Sequence, residues 1–284
     1  MKKLISALFK RRGPFLFLLL LIIFHRGTDG ERALSAADVP AHTPARGATP
    51  ARDTIPARGA APLFFQGEKL VYEVHFLGVS AGEAQLIVKD PIIFSGRQVF
   101  PLLSTVQSND FVSFIYPVRD RVESYLDAEG LYSHRIHVDQ HQGTRKRKKD
   151  VLFDHVQHKA IQTKDNVRLV FDIPPHVNDF LSVLYYFRAQ AMPVIGRSVF
   201  FDVHEGGKNW KLEIRPLNKE TVITPMGTFA TIKTQAMPRF EGIFLDKADL
   251  YIWITDDDRR IPVKIQSRIK VGTITISLIS REAG

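Results

Sequence analysis

The chain has 284 residues, 44% of them hydrophobic, no cysteine, and a formal charge of +9. That is enough apolar material for a sizeable core, and the missing cysteines exclude a disulfide framework, thiolate metal sites and a lipid-modified N-terminal cysteine. The charge does not argue for nucleic acid, because residues 1–37 hold seven Lys/Arg and two Asp/Glu and account for +5 of the +9.

Residues 1–37 read as a signal peptide or an N-terminal anchor. Lys2, Lys3, Lys10, Arg11 and Arg12 precede Phe15–Phe24, ten apolar residues without interruption. Ten helical residues rise about 15 Å, half of a hydrocarbon core, which suits a secretory signal better than a full span. Ser35-Ala36-Ala37 offers small residues for cleavage but lies far from Phe24, so an uncleaved tether to the inner membrane stays open. The expected location is the periplasm. Residues 38–62 collapse to Pro, Ala, Arg, Gly and Thr, with Pro-Ala-Arg at Pro44, Pro50 and Pro56. Such a segment buries too little apolar surface to offset its ordering entropy, and is expected to be a disordered linker.

A single β-rich domain is expected over residues 63–281. Glu68–Phe76 alternates polar and apolar residues, Gly78–Gly82 turns the chain, and Glu83–Lys89 continues as the second arm of a hairpin. Strands follow at Gln98–Gln107, Arg119–Leu126, Leu131–Asp139, Thr144–Phe153, Ala160–Thr163 and Val167–Phe171, with Phe111–Tyr116 readable as a short helix or an aromatic loop. Asn178–Gln190 is the one convincing helix: Phe180, Leu184, Phe187 and Ala191 share a face, Pro174-Pro175 stop the preceding strand, and Asn178 or Asp179 can cap the first turn. Seven further strands are expected, from Ser198–His204 through Asn209–Arg215, Glu220–Ile223, Thr228–Gln235, Lys247–Thr255 and Ile261–Arg268 to Thr273–Ile279. The pattern predicts a mainly β fold, a curved antiparallel sheet or open β-barrel with one packed helix.

YEVHFLGVSAGEAQL, DRVESYLDAEGLYSHRI, DIPPHVNDFLSVLYYFR and ITDDDRRIPVKIQSRIKVGTITISL together resemble the DUF3108 family of bacterial exported proteins. The resemblance implies an envelope protein and no particular reaction. By fold alone it extends to the curved half-barrels that carry lipids or lipoproteins across the periplasm, an analogy that does not fix function.

Four groups of residues carry possible chemistry. Gly78-Val79-Ser80-Ala81-Gly82 matches G-x-S-x-G, but a nucleophile elbow needs a helix after the serine and Glu83–Lys89 alternates like a strand, so Ser80 is expected in a hairpin turn. His134, His137 and His141 would line one face of a helix, but on a strand His134 and His137 point to opposite sides, so no metal site is predicted. Asp256-Asp257-Asp258 lacks the spacing of a calcium loop and reads as a polar turn. Arg145, Lys146, Arg147, Lys148 and Lys149 read as a solvated hairpin tip that could meet anionic lipid headgroups or a partner.

The 20 phenylalanines and seven tyrosines are many for a sheet covered by one helix, and a concave face wider than that helix would leave an apolar groove. Tyr72, Phe114, Leu184, Phe187 and Trp253 are the residues expected to line it. The leading expectation is thus a non-enzymatic envelope protein that binds a hydrophobic, lipid-like ligand or an envelope partner, with no cofactor. The alternatives are an assembly factor docking proteins through a sheet edge or the basic tip, and a hydrolase using Ser80.

Overall fold

The computed structural model describes residues 66–164, 167–240, 243–244, 249–269 and 272–283, so the expected signal or anchor at 1–37 and the expected linker at 38–62 lie outside the described residues. Alternation of apolar and polar residues produces the first half of one sheet: β1 (Lys69–Phe76), β2 (Val79–Val88), β3 (Ile92–Phe94), β4 (Arg97–Ser108), β5 (Val118–Asp127), β6 (Ser133–Gln142), β7 (Arg145–Asp154), β8 (Lys159–Lys164) and β9 (Val167–Asp172). The second half comprises β10 (Val199–Glu205), β11 (Lys208–Thr224), β12 (Gly227–Phe240), β13 (Ile243–Phe244), β14 (Asp249–Thr255), β15 (Pro262–Ile269) and β16 (Gly272–Glu282). Two helices interrupt them, α1 (Asp110–Ser113) and α2 (Ser182–Ala189).

All 16 strands belong to one antiparallel sheet, with the order β10-β11-β12-β14-β15-β16-β1-β2-β4-β5-β6-β7-β8-β9 and with β3 and β13 as side branches on β4 and β12. Burial alternates along the strands, which fixes the inner face: Leu70, Tyr72 and Val74 of β1, Val118, Val122 and Leu126 of β5, Leu250, Ile252 and Ile254 of β14. The sheet curls but does not close, since no ladder joins β9 to β10. The chain between them bridges the seam, where Ser133 N–H donates to the Val177 carbonyl, Asn178 N–H to the Asp202 carbonyl and His204 N–H to the Asn178 carbonyl.

Some boundaries differ from the sequence reading for identifiable reasons. The first turn is only Leu77-Gly78, both with positive φ, so Ser80 already belongs to β2. Gly82 matters for a different reason: a Cβ there would lie 2.1 Å from the Gln107 carbonyl oxygen of β4. Asn209–Arg215 and Glu220–Ile223, expected as two strands, are one, because Pro216 is accommodated by a register shift between Pro216 and Asn218. Helix α2 begins at Ser182 rather than Asn178, since the Asn178 backbone is already committed to β10.

Candidate functional site

The inside of the curl is filled by α2. Its residues Val183, Leu184, Tyr185, Phe187 and Arg188 are all buried, as are Phe180 and Leu181 before them. Of the residues predicted for a groove, Tyr72, Leu184 and Phe187 are core: the Tyr72 hydroxyl donates to the Pro262 carbonyl at 2.9 Å, and the Phe187 ring meets Phe201 edge-on. Trp253, predicted for the concave face, points the other way, because strand parity gives the inner side to Ile252 and Ile254. There the Lys233 and Lys264 ammonium groups lie 5.0 and 4.9 Å from its ring centroid, and its indole N–H donates to Glu220. Phe114 lies just after α1 and is 78% exposed. These five side chains therefore do not converge on one open groove.

Both ends of α2 are locked by buried polar groups. At the N-terminus Asp179 accepts Leu181 N–H and Ser182 N–H on one oxygen and the Ser124 and Ser133 hydroxyls, at 2.6 and 2.7 Å, on the other. Burial outweighs these bonds and raises the Asp179 carboxyl above its ordinary range. At the C-terminus Arg188 makes a bidentate pair with Glu68, at 2.8 and 3.1 Å, and donates to the Arg259 carbonyl. Arg260 in turn donates to the Arg188 and Gln190 carbonyls. The Asp256–Arg260 connection is thus a clamp on the helix. Asp257 shapes it by accepting from Thr255 and from the Arg259 and Arg260 amides.

Sequence reasoning offered Asn178 or Asp179 for the helix start, where Asp179 takes the Leu181 and Ser182 amides although Leu181 holds the N-cap position, but it did not see the pair at the other end. The available signal was Arg188 itself, one turn after Leu184 on the apolar face of the helix.

The basic run is not a turn. Gly143-Thr144 turns the chain, and Arg145–Lys149 form the start of β7, so their side chains alternate between faces. Lys149 faces inward and pairs with the buried Glu205 at 2.5 Å, while Lys146 and Lys148 face outward beside His141 and Asp139 of β6. On the inner face Asp120 accepts from the Gln142 side chain and the His141 amide, and burial pushes its carboxyl up to about 7 against those bonds.

Two surface features stand out. Strand β9 carries Val167, Leu169 and Val170 at 41% to 56% exposure, beside an edge that pairs with no strand among those described. Its Asp172 end is covered, because Asn209 donates to the Asp172 carbonyl and Phe171 packs on His204. On the outer face a recess of about 530 Å³ is lined by Ile87, Ile92, Pro101 and Tyr125, with the Lys89–Glu123 ion pair at its side.

The chemical candidates stay apart. Ser80 faces His75 in register, and His75 lies 3.4 Å from Glu73, but no hydrogen bond joins Ser80 to His75 and a strand, not a helix, follows the serine. His134, His137 and His141 do not gather. Instead His134, His155 and His176 surround the Tyr132 ring, with centroids 4.4 to 5.1 Å away, and His134 bonds Asp127 at 2.9 Å. Among the described residues no group of His, Asp and Glu is placed to hold a metal ion.

Residues 71–279 match the model of DUF3108, a family described as a protein of unknown function. No curated protein matches the sequence. Among solved structures, a β-barrel-like protein of the domain of unknown function DUF1849 from Brucella abortus is similar over 78% of this chain and 99% of its own, with a TM-score of 0.53 at 6% identity. A candidate lipoprotein from Parabacteroides distasonis matches with a TM-score of 0.36 at 10% identity, over 79% and 100%. An exported-protein candidate with a YmcC-like fold from Bacteroides fragilis matches with 0.30 at 12% identity, over 77% and 99%. The first of these shares the β-barrel-like fold.

Proposed function

This chain belongs to the DUF3108 family, and we propose that it is a non-catalytic protein of the bacterial envelope that docks an extended segment of a partner protein onto β9. Export is supported by the basic stretch and the ten-residue apolar run at the N-terminus. The observation that carries the reading is the β9 edge. Natural sheets blunt such edges with charges, proline or cover, whereas β9 exposes Val167, Leu169 and Val170 with only Arg168 among them, its second charge, Asp172, lying at the covered end of the strand. An incoming strand would complete the ladder and bury those side chains on alternate faces. Arg168 and the cations of β7 favour a segment flanked by acidic residues.

The test is photo-crosslinking in living cells from position 169, with Val156, on the β7–β8 turn and 91% exposed, as control. One protein adduct from 169 that is absent from 156 and abolished by Val170→Pro supports the reading. Equal capture from both positions, or capture indifferent to Val170→Pro, removes it.

A hydrophobic ligand is the second reading, favoured by the outer recess at Ile87, Ile92, Pro101 and Tyr125. It predicts co-purified lipid by mass spectrometry and a higher Tm with added fatty acid or phospholipid. The absence of both removes it. Retention of full cellular function by Ser80→Ala would likewise dispose of the hydrolase alternative.

A further inference from the structure

One end of the curled sheet combines exposed apolar side chains with a basic wall. The β1–β2 turn carries Leu77, the first residue of β2 is Val79, and α1 with the residue after it carries Phe111 and Phe114; these four are 59% to 78% exposed. They form one rim, because the Asn109 amide donates to the Ala81 carbonyl and the Asn109 side chain to the Ser80 carbonyl, tying α1 to that turn. On its other flank the rim is joined to the β6–β7 turn, where Gly143 N–H donates to the Pro117 carbonyl. Directly below, on the outer face, Arg119 pairs in register with His141 and then Lys146, and Arg121 with Asp139 and then Lys148. Asp139 is engaged by Lys148 and His141 at 3.2 and 3.1 Å. Arg119, Arg121 and Lys146 are exposed and meet no carboxylate among the described residues.

We propose that this rim rests on an anionic phospholipid surface, with Phe111, Phe114, Leu77 and Val79 in the headgroup region and the β5–β7 cations over the phosphates. The chemistry argues for lipid rather than for a folded partner. Two phenylalanines and two aliphatic side chains raised on separate turns make a ragged contact, which a fluid interface accommodates and a close-packed protein surface does not. The unpartnered cations lie beside it, where a negative leaflet attracts them. The inference is independent of docking at β9, which concerns a different edge.

The absence of cysteine makes the test direct. Full-length chain carrying Phe114→Cys or, as control at the opposite end, Val156→Cys is labelled with an environment-sensitive dye and mixed with vesicles containing nitroxide lipid. The leader is common to both proteins, so any membrane affinity of its own moves both labels alike. The expected result is quenching at 114 and not at 156, with vesicles containing phosphatidylglycerol. Lys146→Glu with Lys148→Glu should weaken vesicle partitioning by about tenfold or more, as should replacing the anionic lipid with phosphatidylcholine. Equal quenching at both labels, none at 114, or binding indifferent to both lipid charge and the lysine substitutions overturns the proposal. So does a photo-adduct from position 114 in cells that is protein and not lipid.

Discussion

Removing Glu68 leaves Arg188, 0% exposed, without a carboxylate, and removing Arg188 leaves Glu68, 1% exposed, with only the more distant Arg281 guanidinium at 3.6 Å. Arg188→Met should therefore destabilise the fold by about 3–5 kcal/mol in urea unfolding. Adding Glu68→Gln to it should recover much of that loss, because no buried carboxylate then remains deprived of its bidentate partner. If the double variant is no more stable than Arg188→Met, the pair is not what holds the helix end. Asp120 gives a pH signature with a definite sign. Its carboxyl titrates near 7 when folded and near 3.8 otherwise, so the folded state holds the proton more tightly, and this group's contribution to stability declines as pH rises from about 4 through 7. Asp120→Asn should consequently raise Tm relative to the parent at pH 8 and leave it unchanged at pH 4. His155 and His204 act in the opposite sense, because burial lowers their pKa and stability rises with pH as they lose the proton; comparison with the variant cancels them.

At the scale of elements, α2 is both the core's filler and the part held in place by distant chain. Phe187→Ala should cost about 3–5 kcal/mol, the range for deleting a buried ring. Arg260→Ala should cost about 1.5–3 kcal/mol by releasing the Arg188 and Gln190 carbonyls. A loss below about 0.5 kcal/mol in the latter would mean that the turn does not clamp the helix. The helix and most strands were legible, because 3.6- and 2-residue periodicities are local properties of the chain. The joining of Asn209–Arg215 to Glu220–Ile223 was not, because whether Pro216 ends a strand or sits at a bulge depends on β12 alongside it. The groove expectation failed to converge for a similar reason. Aromatic content says how much surface must be buried, but only the path of residues 173–181 across the seam reveals that α2 fills the space. Arg188, Glu68 and the Asp257–Arg260 turn lie far apart in sequence, so no spacing could show that they meet around one helix end. The clustering of His134, His155 and His176 on Tyr132 is hidden in the same way.

Over the whole molecule, a sheet that curls without closing keeps two features that a closed barrel lacks: a free edge at β9 and a seam held by Val177 and Asn178 rather than by a ladder. With α2 buried inside the curl, the contacts proposed above all lie on the outside, at the β9 edge, the outer recess or the rim at Phe111 and Phe114. The most direct measurement replaces Phe187 with azidophenylalanine, close in shape to the residue it replaces, and identifies what it crosslinks to in cells. The account predicts adducts only within the chain, at neighbours such as Phe201. An acyl lipid captured from position 187 would show that the interior opens to a ligand, and would contradict it.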